Sequence, residues 1–125
     1  IGYWGNPGKG KGGVLVGTVP QEVLNITTEY IKKLNQQIPV KKAIIFGSYA
    51  KGNYAKDSDV DIAIFSPAFE NITRVDGVTL LLMQALSYKI DLQPQPFTMK
   101  DYIEKTGLVE EILKTGVEIN ITWTS

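Results

Sequence analysis

Two aspartates, Asp59 and Asp61, stand one residue apart at the start of the apolar run 62–65. This pattern predicts a strand, and on a strand both carboxylates point to the same side. Two carboxylates about 7 Å apart on one sheet face repel each other by about 2 kcal/mol at an effective dielectric of ~20. Because a divalent cation removes this repulsion, we expect the pair to hold a metal ion.

A second signal lies upstream, where the apolar run 43–46 stops at Gly47 and Ser48. A turn from a strand into a helix presents backbone N–H groups and the positive end of the helix dipole, which attract phosphate. Gly47 would let the backbone approach a phosphate closely, and Ser48 adds a hydroxyl group. Both residues could instead form an ordinary turn and helix cap. Together the carboxylates and the turn predict a site for a metal–nucleotide complex.

The order Gly-Ser, ten intervening residues, then Asp-x-Asp resembles the DNA polymerase β-like nucleotidyltransferase superfamily. The resemblance covers about residues 20–121 and is strongest to the small, single-domain branch called minimal nucleotidyltransferases, many of which are antitoxins. It implies a third acidic residue on a later strand, and Asp91 is the candidate because it lies within the short apolar run 90–92. A lone acid in a short strand could also simply face water.

The resemblance also implies a role for each residue. Asp59 and Asp61 would bind Mg²⁺ in a two-metal site that bridges them to a nucleoside triphosphate, with ATP as the expected donor. Asp91 would join the metal beside the acceptor hydroxyl and accept its proton. Lys51, where family members often have arginine, and Ser58 would contact the nucleotide. Lys51 can neutralise a phosphate but lacks the bidentate fork of arginine. Alternatively, Lys51 could be a solvated surface residue, and Ser58 could cap its own loop.

By the same resemblance, the partner would be a small helical HEPN-type ribonuclease, and a tyrosine of that toxin would receive the AMP. A second hypothesis is transfer to a small hydroxylated molecule such as an aminoglycoside. A third is a binding module that masks its partner and has lost turnover. Leu80 and Met83 lie off the main apolar stripe of a predicted helix and could contact a partner helix, although such residues more often belong to the core.

The composition of the chain excludes several kinds of catalytic group and several classes of protein. The chain has no Cys and no His, which excludes disulfides, thiol nucleophiles and a histidine base. Lys plus Arg and Asp plus Glu both total 13, so a long nucleic-acid substrate is not expected. A chain of 125 residues suits one domain with little room for an acceptor lobe, so a second chain, including a homo-oligomer, could supply it. No apolar run suits a membrane span or signal peptide, which predicts a cytoplasmic protein.

The periodicity predicts an α+β fold in which helices pack on a small mixed sheet. Residues 1–18 are rich in glycine and are expected to be a flexible segment before a nucleotidyltransferase domain at 19–125. We predict strands at about 40–46, 59–65, around Asp91 and at 117–121. Helices are expected after Pro20, near 48–52, over the stripe from Val78 to Leu86, and after a cap at Thr98 and Asp101.

Overall fold

The computed structural model describes residues 19–55 and 58–121, so the predicted segment 1–18 lies outside the described residues. Within those ranges, five α-helices and four strands follow one another. Their order is α1 (Gln21–Leu34), β1 (Lys42–Phe46), α2 (Ser48–Lys51), β2 (Val60–Phe65), α3 (Arg74–Ala85), β3 (Leu92–Phe97), α4 (Met99–Glu104), α5 (Leu108–Thr115) and β4 (Val117–Glu118). A short 3₁₀ helix, Pro67–Phe69, follows β2.

The described strands form one mixed sheet in the order β3-β2-β1-β4. β1 pairs antiparallel with both β2 and β4, whereas β2 pairs parallel with β3. The parallel pair is connected through α3, as a parallel connection requires a crossover. This architecture confirms the predicted α+β fold with a small mixed sheet.

The two faces of the sheet are covered by different helices. Val60, Ile62 and Ile64 of β2 pack with buried residues of α1 and α3 in one core. Ala63 and Phe65 point the other way and pack with α4 and α5 in a second core. Because successive side chains alternate, Asp61 belongs to the same face as Ala63. The sheet therefore presents its aspartates on the side that α4 and α5 cover.

Strand β3 differs from the prediction, because it begins at Leu92 and Asp91 directly precedes it. The strand continues through Pro94 and Pro96 to Phe97, well beyond the apolar run 90–92 on which the prediction was based. The carbonyl groups of Asp91 and Phe97 accept hydrogen bonds from the β2 side, so the odd-numbered residues of β3 face β2. Both prolines are even-numbered and face the edge of the sheet, where their missing N–H groups cost no hydrogen bond to β2.

The observed helices agree with the predicted helices only in part. The cap at Thr98 is confirmed as a full capping box with Asp101. The apolar pattern that follows belongs to two helices, because the chain turns at Lys105 and Gly107, whose φ angles are 53° and 56°. In α3 the predicted core stripe is wrong at its end, where Leu86 is 77% exposed. In the described part of the chain, no helix combines the length and apolar character that crossing a membrane requires.

Candidate active site

Asp59 and Asp91 lie side by side at the starts of two parallel strands. Val60 pairs with Leu92 in the register of β2 and β3, and the Val60 N–H donates to the Asp91 carbonyl at 2.8 Å. Each aspartate precedes its strand by one residue, so the two are neighbours across strands that are ~4.8 Å apart. The parallel register therefore brings together two acids that are 32 residues apart in sequence.

The carboxyl groups of this cluster perturb one another. The pKa of Asp59 is raised because its side chain hydrogen-bonds to that of Asp91 and lies in the field of that carboxylate. The pKa of Asp61 is raised as well, first by burial and then by the charge of Asp59. All three predicted acids thus belong to one electrostatic cluster. Its ionised form carries concentrated negative charge that a cation would stabilise.

Gln93 is a further member of the cluster that the sequence analysis missed. Its Nε2 donates to Asp91 Oδ1 at 2.7 Å. This hydrogen bond orients the Asp91 carboxylate, since both residues lie on the same side of the β3 backbone. A Gln two residues after a candidate acid is the only signal that could have suggested this role, and it is too common to be diagnostic.

Gly47 brings the backbone of the turn close to Asp61. Phe46 lies opposite Asp61 in the antiparallel register of β1 and β2, and Gly47 follows it with φ 74° and ψ −147°. A Cβ atom added at Gly47 would collide with Asp61 Oδ2. Glycine is therefore required at this position for two reasons, the backbone conformation and the adjacent carboxylate.

The remaining predicted contacts lie at different places around the turn. Ser48 is the first residue of α2, which is a single helical turn and begins where the sequence predicts. Lys51 ends that turn, and its Nζ pairs with Glu111 Oε2 of α5 at 3.0 Å. The Ser58 hydroxyl accepts a hydrogen bond from the Ala55 N–H at 2.7 Å, so it stabilises the loop before Asp59. Roles of Lys51 and Ser58 toward a nucleotide stay predictions.

A cleft of about 190 Å³ lies between the turn and α5. Gly47 and Lys51 line one wall, and Leu108, Glu111 and Thr115 line the other. Gly47 connects this cleft to the acidic cluster, because it lines the cleft and the Asp61 carboxylate lies where its Cβ would be. Glu111 was not singled out by the sequence analysis, because nothing in a helical sequence indicates which distant loop it meets.

The donor chemistry of the cluster fits a hard divalent cation. Carboxylate oxygens are the protein ligands that Mg²⁺ prefers. Among the residues that the structure describes, no three His, Cys, Asp or Glu side chains are arranged as a ready cage for a metal. Mg²⁺ sites often use one or two carboxylates and complete their coordination with substrate phosphates and water. Asp59 and Asp61 are the side chains that would hold such an ion.

Comparisons with known proteins agree with this geometry. A sequence model described as the nucleotidyltransferase domain matches residues 27–119, which span β1 to β4 and all three aspartates. The chain belongs to this nucleotidyltransferase family. A protein of Methanocaldococcus jannaschii, provisionally named a protein adenylyltransferase, is 30% identical over 100 residues, which cover 78% of this chain and 99% of that relative. Protein adenylyltransferase MntA of Thermococcus cleftensis is 29% identical over 99 residues, covering 79% and 94% of the two chains.

A solved structure shows the same fold as this nucleotidyltransferase. It is the crystal structure of a provisionally identified nucleotidyltransferase from Sulfolobus solfataricus. The two structures superpose with a TM-score of 0.65, covering 94% of this chain and 96% of the other, at 18% sequence identity. At that identity the likeness concerns the fold alone.

Proposed function

We propose that this nucleotidyltransferase transfers AMP from ATP to a hydroxyl group of a partner protein in a reaction that depends on Mg²⁺. The observation that carries the proposal is the acidic cluster, in which the hydrogen bond and the charge of Asp91 raise the pKa of Asp59, and burial and the charge of Asp59 raise that of Asp61, with Gly47 packed against Asp61. The relatives named protein adenylyltransferases favour ATP as the donor and a protein as the acceptor.

In this proposal each residue has a separate task. Asp59 and Asp61 hold the cation, which when bound neutralises phosphate charge and lowers the pKa of an adjacent hydroxyl. Gly47 and Ser48 allow the triphosphate to lie close to the backbone of the turn. Asp91, fixed by Gln93, accepts the proton of the attacking hydroxyl. The acceptor oxygen bonds to the α-phosphorus, the bond from that phosphorus to the bridging oxygen breaks, and pyrophosphate leaves.

The surface beside Asp91 suits a protein acceptor. A cleft of about 310 Å³ runs from Asp91 along Ile90, Leu86 and Leu82. Met83, on the same end of α3, is 66% exposed, whereas Leu80 packs against the core. Apolar residues next to a proton acceptor fit the amphipathic ring of a tyrosine. We therefore propose a tyrosine on a helical, HEPN-type toxin as the acceptor and an antitoxin role for this chain in the cytoplasm.

The proposal is tested by intact-mass spectrometry of the protein encoded beside this gene, after incubation with the wild-type chain, ATP and Mg²⁺. Each AMP adds about 329 Da to the acceptor, as expected for transfer with loss of pyrophosphate. Asp91→Asn should bind nucleotide but transfer it at least about 10²-fold more slowly, because it lacks the proton acceptor. Transfer to an aminoglycoside with an unmodified partner would instead establish the small-molecule activity. An Asp91→Asn variant as active as the wild type would remove Asp91 from the site.

A further inference from the structure

Lys51 and Glu111 are 60 residues apart in sequence and form an ion pair. Both line the cleft beside Gly47, so the pair connects its two walls. Lys51 belongs to the turn that precedes the acidic cluster, and Glu111 belongs to the first turn of α5. The side chains are 48% and 57% exposed, so both remain accessible to a ligand that enters the cleft. A phosphate group placed there would meet Lys51 and Glu111 together.

We propose that Glu111 sets the affinity and charge selectivity of the nucleotide site by competing with the phosphates for Lys51. This inference rests on the proposed function. The Lys51 ammonium group is the cation that the turn offers, and in this structure its partner is a carboxylate 3.0 Å away. A phosphate that binds Lys51 must displace Glu111 or share the ammonium group with it. In both cases the contact between the phosphate and Lys51 contributes less to the free energy of binding.

Because the site is strongly negative, this competition affects which form of the nucleotide binds. Asp59, Asp61 and Asp91 already concentrate negative charge next to Gly47. Glu111 adds a fourth carboxylate at the opposite wall of the adjoining cleft. A nucleotide whose phosphates are not neutralised is repelled from both sides, whereas one that arrives with a divalent cation is repelled less. Glu111 therefore favours the metal complex over the free triphosphate.

Exposed ion pairs contribute about 0.2–1 kcal/mol, which sets the expected size of the effect. Removing the Glu111 charge should strengthen Mg-ATP binding by about 1.4-fold to fivefold, the affinity change that corresponds to this range. Adenosine carries no phosphate and should bind equally well to both forms. A residue that merely fastens α5 to α2 would change the two affinities together.

The chain offers a matched control. Glu110 lies next to Glu111 in the same turn of α5 and pairs with Lys114 at 3.6 Å, within its own helix. Glu110→Gln removes the same charge from the same helix turn without touching the Lys51 pair. A change in binding that is caused by helix stability or net charge would therefore appear in both variants.

Isothermal titration calorimetry with Mg-ATP and with adenosine tests the proposal on the wild type, Glu111→Gln, Glu110→Gln, Lys51→Met and the double variant Lys51→Met/Glu111→Gln. We expect tighter Mg-ATP binding in Glu111→Gln alone, unchanged adenosine binding, and no gain over Lys51→Met when Lys51 is already absent. Equal Mg-ATP affinities of Glu111→Gln and Glu110→Gln would overturn the role of Glu111 while leaving the nucleotide site intact. Absence of Mg-ATP binding in the wild type would overturn both this inference and the proposed function.

Discussion

At the scale of single residues, Gly47 and Asp61 define the site more tightly than any other pair. The glycine adopts a φ of 74° that side-chain-bearing residues avoid, and the Asp61 carboxylate occupies the space that a Cβ would need. The motif therefore places the turn proposed to bind phosphate directly against the proposed metal ligand. A substitution at the turn should disturb the carboxylate even though it removes no ligand.

Gly47→Ala should lower the free energy of unfolding by about 1–3 kcal/mol because of backbone strain. It should also reduce the transfer rate by about 10²-fold, since the displaced Asp61 no longer aligns the nucleotide. Gly107→Ala is the control, because Gly107 has a φ of 56° and its added Cβ would have no neighbour within 4 Å. Denaturant unfolding and the transfer rate should separate the two variants. Equal loss of activity in both would show that strain alone, and not the Asp61 contact, explains the effect.

The raised pKa values of Asp59 and Asp61 predict how stability depends on pH. A carboxyl group whose pKa is higher in the folded state keeps more protons there than in the unfolded chain. Stability is therefore fully present below the ordinary value of 3.8 and falls as the pH rises through the folded pKa. Asp61→Asn should flatten this decline and raise the melting temperature at neutral pH in EDTA. Thermal unfolding measured across pH checks this, and a wild-type stability that rises steadily over the same window would contradict it.

At the scale of secondary-structure elements, the parallel pairing of β2 and β3 assembles the site. The register sets Asp59 beside Asp91, and α3 forms the crossover that makes the pairing parallel. Sequence periodicity predicted β2 well, because six residues in a row are half-buried or buried between two helical layers. It misplaced β3, because proline at alternate positions is compatible with a strand only at a free edge. Edge position is a property of the whole sheet and cannot be seen in one segment.

The cap of α4 is an element whose contribution can be measured separately from the site. The Thr98 hydroxyl accepts from the Asp101 N–H at 3.1 Å, and Asp101 Oδ2 accepts from the Thr98 N–H at 2.9 Å. Thr98→Ala should cost about 1 kcal/mol of stability and leave nucleotide transfer unchanged. Thr79→Ala, on an exposed helical position of α3, should change stability little. Urea unfolding tests this pair, and equal midpoints would show that the cap contributes nothing measurable.

For the molecule as a whole, the spacing of the Gly-Ser and Asp-x-Asp motifs was enough to predict the family, and the periodicity of the apolar residues predicted the α+β fold. The resemblance also implied Asp91 as a third acid, but its position beside Asp59 depends on the parallel register of β2 and β3. Contacts made by α5 were beyond sequence reasoning, since the Lys51–Glu111 pair depends on how two helices pack around the turn. The break between α4 and α5 was also missed, because it depends on a left-handed conformation at Lys105 that a lysine rarely adopts.

The central claim is that Asp59 and Asp61 bind a nucleotide through a divalent cation. Calorimetric titration with a non-hydrolysable ATP analogue, with Mg²⁺ or with EDTA, tests it most directly on the wild type, Asp59→Asn, Asp61→Asn and the exposed control Asp76→Asn. We expect binding that requires Mg²⁺ in the wild type and in Asp76→Asn, and loss of most of that affinity in the other two variants. Binding that is equally strong in EDTA, or unchanged in Asp59→Asn and Asp61→Asn, would contradict the claim.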